Sequence, residues 1–234
     1  TYRPFAKQFL YYDRKFNERV YQMPKIFPTP DTENMVICVT GRGAKKDFSA
    51  LITDTIPDYE LVSKGQCFPL YHYGAVNDAA DETDEAPSTE DMFQTAPAET
   101  EQSRKDNITD ETLEKFQVVY TQSNGKDITK TDIFYYIYGV LHSPEYKKRF
   151  ENDLKKVIPR IPFASDFWTF SRAGRALAHW HLGYESVEPY PLTQAGELDL
   201  GDHPHYEVQK MQWGKIGKEV DKSTIVYNSR VRLG

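Results

Sequence analysis

Residues 131–150 read TDIFYYIYGVLHSPEYKKRF, and the fold turns on whether these rings fill a core or stack on nucleic-acid bases. Just upstream, Thr129 with Asp132 three residues on has the form of a capping box. Beyond it Ile133, Phe134, Ile137, Tyr138 and Leu141 recur at helical spacing. Rings on a helical stripe opposite charge belong to a core more often than to a stacking platform. Tyr135 and Tyr136 fall off that stripe and stay open. Ser143-Pro144-Glu145 then opens a second helix, with Ser as cap, Pro in the first turn and an acid at the positive end of the dipole. Its stripe is Tyr146, Phe150, Leu154 and Val157, its lysines 147, 148, 155 and 156 fall mostly elsewhere, and Pro159 ends it.

Working outward, a third helix is predicted from near Ser165 through FWTFSRAGRALAHWHLGYE. Phe167, Phe170, Gly174, Leu177 and His181 share a face, Gly183 is the stop, and Gly174 lets another backbone approach closely. Upstream, MVICVTGRG, ALITDTI, YELV and QCFPLYHYG are short runs rich in β-branched and aromatic residues, cut by Gly, Asp and Pro, and read as strands. Downstream, HYEVQKMQW and STIVYNSRVRL read as strands separated by GKIGKEVDK, a ribbon with a basic tip. The predicted class is α+β, with mixed, largely antiparallel β elements at both ends and a central helical cluster. It divides into a strand-rich part over 1–75, an acidic insertion over 76–107, a helical cluster over 108–190 and a C-terminal ribbon over 191–234 belonging to the same domain.

The 234 residues suit one large domain or a domain with an appended element. Net charge is −6, which seems to argue against a polyanionic partner, yet nine acids and no Lys or Arg lie between Asp78 and Glu101. Set aside from the chain's 35 acids and 29 bases, those nine leave a mildly basic body. The stretch 76–107 has almost nothing apolar to bury and reads as a solvated, disordered insertion. No apolar run approaches the roughly 20 residues of a membrane span. No export signal is legible at Thr1-Tyr2-Arg3-Pro4-Phe5, so a soluble, cytoplasmic fragment is expected. Cys38 and Cys67 look like buried strand positions and are expected as free thiols.

Candidate chemistry is sparse. Residues 41–49, GRGAKKDFS, follow a strand with two glycines and two lysines, but neither GxxxxGK[ST] nor GxGxxG is present, so a flexible basic loop facing a phosphate backbone fits better. His179-Trp180-His181 and His203-Pro204-His205 lack the spacing of metal ligands, and His181 reads as a packing residue. There is no GxSxG, and Cys67 has apolar rather than activating neighbours. A free-standing nuclease needs converging carboxylates, and the dense acids lie in the insertion. No catalytic residue and no metal ligand is assigned, no cofactor is expected in this chain, and no NPPY-type or DExx-type signature marks a methyltransferase or helicase.

YRPF (2–5), LYYDRKFNER (10–19), FSALITDTIPD (48–58), QCFPLYHY (66–73), ITKTDIFYYIYGVLHSPEYKKRFENDLKKVIPRIPF (128–163) and DKSTIVYNS (221–229) occur in this order. Together they closely resemble the C-terminal specificity region of type ISP restriction-modification enzymes. The resemblance implies the last part of a single polypeptide that also carries a nuclease, a helicase-type motor and an adenine N6 methyltransferase. Its implied partners are double-stranded DNA and those upstream domains, and the parent enzyme would use S-adenosylmethionine, ATP and Mg2+. Ala6, Gln8 and Phe9 depart from the family's pattern after YRPF. The sequence stops at VRLG where relatives usually continue, so a piece cut at both ends, or a divergent or incomplete copy, is expected.

Base edges in the major groove are read by Arg, Lys, Asn and Gln, while Lys, Ser and Thr hold phosphates. The expected DNA-facing groups are Arg42, Lys45, Lys46, Lys64 and Gln66 on the first loops, with Lys215, Lys218, Lys222, Asn228, Arg230 and Arg232 near the terminal ribbon. They are polar residues at strand ends, where a recognition surface varies without disturbing the core. Lys147, Lys148 and Arg149 are expected to contact solvent, a phosphate or the adjoining methyltransferase, with a solvated scaffold face the first of these. The competing expectation is a protein-docking module of a phage-defence helicase or methylase that reads no bases.

Overall fold

The computed structural model describes residues 1, 3–13, 15–17, 19–75, 102–123, 125–188, 194–195, 211–226 and 232–233. The chain divides into two compact units, Thr1–Glu185 and Ser186–Gly234. The class is α+β with antiparallel sheets and a central helical cluster, as predicted.

In the first unit β1 (Val36–Val39) lies between β2 (Ala50–Thr53) and β3 (Gln66–Pro69), antiparallel to both. All four residues of β1 and of β2 are buried because the small sheet is covered on both faces. Alternation assigns the layers. Ile37, Val39, Ala50 and Ile52 join the main core, which also contains Tyr138 and Phe167. Val36, Cys38 and Leu51 face a second cluster containing Ile26, Phe27, Leu61 and Val62. Pro69, which has no N–H to donate, ends the edge strand β3. YELV does not extend the sheet as expected. Its Leu61 and Val62 plug the second cluster from a turn, and Ser63 and Lys64 follow at φ 67° and 50°, a left-handed pair that turns the chain back into β3.

The run QCFPLYHYG is two strands rather than one, divided at Leu70, whose N–H donates to the Met35 carbonyl. Its second half, β4 (Tyr71–Ala75), pairs with β5 (Gln102–Asp106). The sequence reading had placed residues 102–106 in the insertion because they are polar. A solvated two-stranded ribbon needs backbone pairing more than apolar side chains, so their composition misleads.

Residues 23–26 form one turn of helix, α1 (Met23–Ile26). The helix α2 (Asp110–Val119) falls within the helical cluster expected over 108–190, where no separate helix was singled out at this place; Thr109 caps it by accepting from the Thr112 N–H at 3.2 Å and acids occupy its first turn. α3 (Lys130–His142) carries the expected capping box, complete in both directions. Its stripe is wider than the spacing suggested: Tyr136 is fully buried, stacked on Phe167 with ring centroids 4.9 Å apart. The aromatics of this segment fill a core. Ser143 caps α4 (Pro144–Arg149), but the helix breaks at Phe150 and resumes briefly as α5 (Glu151–Leu154), leaving Val157 exposed rather than on a continuous stripe.

α6 (Phe167–Leu182) is capped by Asp166 and ends at Gly183. Its buried face is Phe167, Ser171, Gly174 and Ala178, rotated from the expected one. It crosses α3 where Gly139 and Gly174 meet, and a Cβ on either would strike backbone of the other helix.

The second unit holds β6 (Gln194–Ala195), β7 (Gln212–Ile216), β8 (Glu219–Val226) and β9 (Arg232–Leu233), antiparallel in the order β6-β9-β8-β7. The expected basic linker GKIGKEVDK is mostly strand. Its turn is only Gly217-Lys218, with Gly217 at φ +64° as a tight hairpin requires. The strand expected from HYEVQKMQW begins at Gln212, and residues 205–210 lie outside the described residues.

Candidate nucleic-acid interface

Five of the expected DNA-facing residues converge in the first unit. β1 runs through Thr40 into the loop 41–46, and the turn at 63–65 feeds β3 beside it, because Val39 pairs with Gln66. Gly41 is buried at the junction, its N–H donating to the Ser63 carbonyl at 3.1 Å. A Cβ at Gly41 would collide with the Lys64 carbonyl oxygen, so glycine is what lets the two loops touch. Lys64 donates from Nζ to the Gly43 carbonyl at 3.2 Å and thereby braces the loop as well as charging it. Arg42, Lys45 and Lys46 are exposed with no acidic partner among the described residues, and Gln66 is half-buried.

The second unit presents Lys215 on β7, Lys218 in the turn and Lys222 on β8, all exposed. Lys215 pairs with Val220, so these two share a ribbon face, and the register shifts between Trp213, which pairs with Ile225, and Gly214. Trp213 on β7 is 49% exposed. Arg232 lies in β9, while Asn228 and Arg230 lie outside the described residues. Sequence reasoning passed over Arg104 and Lys105, both exposed on β5, with Arg104 held 4.4 Å over the Tyr71 ring. The signal was the basic pair in QSRKD, just past the last acid of the insertion.

Lys148 and Arg149 are exposed as expected, whereas Lys147 is half-buried and burial pushes its ammonium pKa down. Among the described residues no group of three His, Cys, Asp or Glu could hold a metal. His203 and His205 lie outside the described residues. An apolar cleft of about 190 Å3 is walled by Ile37, Val39, Phe68, Phe134, Leu141 and Ile158 and presents no titratable side chain. No helix among the described residues is long and apolar enough to cross a membrane.

A buried polar cluster ties the sheet to the helices. The Tyr138 hydroxyl accepts from the Ile52 N–H at 3.1 Å and hydrogen-bonds His181 Nδ1 at 2.6 Å. Burial lowers the His181 pKa. His142 stacks edge-on to Tyr138, its Nε2 buried without a partner, and burial with the Lys147 and His181 charges pushes its pKa down to about 4. An unfolded histidine binds its proton below about pH 6.5 while His142 in the fold refuses it. Stability is therefore complete above that pH and is lost as pH falls from there towards 4. We expect a loss of about 1–2 kcal/mol after discounting for partial exposure, read by denaturant unfolding at stepped pH and halved or better in His142→Phe.

The described residues combine antiparallel sheets with a helical cluster and expose basic groups on loops and strands. The family model described as the Type ISP C-terminal specificity domain matches residues 1–234, and the chain belongs to that family. Solved structures are similar, among them three from DNA complexes. The DrdV–DNA complex, determined by cryo-electron microscopy, is 32% identical with a TM-score of 0.77 over 99% of this chain and 20% of that one. A nuclease-deletion mutant of the Type ISP enzyme LlaGI, in complex with a DNA substrate mimic, is 31% identical with a TM-score of 0.67 over 99% of this chain and 17% of that one. LlaBIII, an ATP-dependent Type ISP restriction-modification enzyme bound to DNA, is 29% identical with a TM-score of 0.72 over 100% of this chain and 13% of that one. The chain thus spans a fifth or less of the length of these neighbours. No curated protein matches it.

Proposed function

We propose that this chain selects the DNA sequence on which a larger restriction-modification enzyme acts, an asymmetric site for adenine N6 methylation or for cleavage. The observation that carries the reading is its membership, along its whole length, in a specificity-domain family whose solved relatives are captured on DNA. The exposed cations of loop 41–46 and of the β7–β8 ribbon support it, since phosphate contacts supply position and affinity while base edges supply specificity. The parent polypeptide would add methyltransferase and helicase domains and use S-adenosylmethionine, ATP and Mg2+ in the cytoplasm. This chain then does no chemistry alone.

The test is selection from a randomised duplex pool, followed by titration at stepped salt. One enriched asymmetric motif is expected. Replacing Arg42, Lys45 and Lys46 together by Gln should weaken binding roughly 10- to 100-fold and flatten the log–log salt slope by about 2 to 3, at close to 0.9 per phosphate contact. The Lys215, Lys218 and Lys222 triple should behave similarly. A pool without enrichment and a slope unmoved by both triples would transfer the chain to the docking class.

A further inference from the structure

Cys38 and Cys67 are direct cross-strand partners in the antiparallel β1–β3 pair, with their sulfurs 3.5 Å apart. Opposed antiparallel residues hold their Cα atoms about 4.5–5.5 Å apart, inside the range a disulfide spans, about 4.4–6.8 Å. Both are free thiols. We propose that they form a dithiol modification site, closed to an intramolecular disulfide by a small-molecule disulfide such as oxidised glutathione and bridged in its reduced state by trivalent arsenicals.

The two thiols are unequal, which sets the order of events. Cys38 is 1% exposed and faces the second hydrophobic cluster, whereas Cys67 is half-buried on the edge strand. The Cys38 thiol donates to the Cys67 sulfur and favours its thiolate. Giving that hydrogen bond, together with burial, holds Cys38 protonated.

Cys67 thiolate therefore attacks first, breaking the oxidant's S–S bond, forming a mixed disulfide and expelling one thiol. Cys38 then loses its proton and attacks the Cys67 sulfur, forming the protein disulfide and expelling the second thiol. Two protein thiols are oxidised by two electrons, the oxidant is reduced to two thiols, and the two protons leave with them. With an arsenic(III) oxide the same pair forms two S–As bonds and releases one water. The staple lies one register pair from Val39 and Gln66, so it ties together the base of loop 41–46 and the 63–65 turn.

The experiment treats the whole chain, first reduced, with oxidised glutathione, and separately with phenylarsine oxide. Expected after glutathione are an intact mass lower by two hydrogens, both thiols protected from alkylation, and a peptide joining residues 38 and 67. The thermal midpoint should rise by about 5–15 °C over the reduced form, as closure of a long loop implies. Phenylarsine oxide should bind one to one. Cys67→Ser, at the less buried position, should show neither the midpoint shift nor arsenical bridging. A lasting glutathione adduct on Cys67 with Cys38 still alkylatable, a disulfide between two chains, or no arsenical bound by the folded protein would each overturn the proposal.

Discussion

Replacing Gly174 by alanine should cost the first unit at least about 3 kcal/mol, a large share of the total margin of about 5–15 kcal/mol that a domain has. Two effects oppose each other. Alanine is the better helix former by about 1 kcal/mol, which alone would stabilise α6. Against that, the new Cβ would run into the Tyr135 carbonyl oxygen and stand 2.8 Å from the Gly139 nitrogen, both backbone atoms of α3. Backbone cannot rotate away as a flexible side chain can. One helix must translate, and with it Tyr136, Tyr138 and Phe167, which hold the core together. Urea unfolding should show a large fall in midpoint at unchanged slope, and Gly139→Ala, which meets the Phe170 carbonyl, should match it. A stabilised Gly174→Ala protein would mean that the helices do not cross this closely.

Tyr136→Ala should be comparably severe, at about 3–5 kcal/mol, because a fully buried ring leaves a cavity that its neighbours cannot close. Tyr136→Phe separates ring from hydroxyl. The hydroxyl donates to the Pro162 carbonyl at 2.6 Å and accepts from the Ala164 N–H at 2.7 Å, fastening the 162–164 strap over the helices. Losing it strands both backbone groups, for about 1–3 kcal/mol. Denaturant midpoints of the two variants apportion the residue between packing and hydrogen bonding. If the phenylalanine variant equals wild type, the strap finds other partners.

Tyr136 also marks where pattern reading stopped. A stripe of five positions accounts for one face of α3, yet Tyr136 on another flank is as buried as Tyr138, since α6 and the 161–164 strap cover the side that the sheet does not. The stripe expected on α6 missed Ser171 and Ala178 for a related reason. Small residues carry little hydrophobic signal, and their burial follows from the close crossing at Gly174. YELV failed as a strand because apolar residues in a turn look like apolar residues in a sheet until a left-handed pair, Ser63-Lys64, reverses the chain.

The candidate interface was legible in part. Polar groups at strand ends are visible as such, and Arg42, Lys45, Lys46, Lys215, Lys218 and Lys222 are indeed exposed. That Lys64 spends its ammonium on the Gly43 carbonyl was not visible, since a contact across 21 positions leaves no trace in local composition.

By itself the sequence determined what neighbours in the chain decide: the Thr129–Asp132 capping box, the Ser143-Pro144 start, the stop at Gly183, the α+β class and, through its ordered phrases, the family. These rest on hydrogen bonds and periodicities within one or two helical turns. Tertiary structure alone decided which distant groups meet: Cys38 with Cys67, Gly41 with Lys64, Gly139 with Gly174. Strand register and helix crossing are set by whichever arrangement buries the most surface without stranding a polar group, a property of the whole core that no single stretch contains.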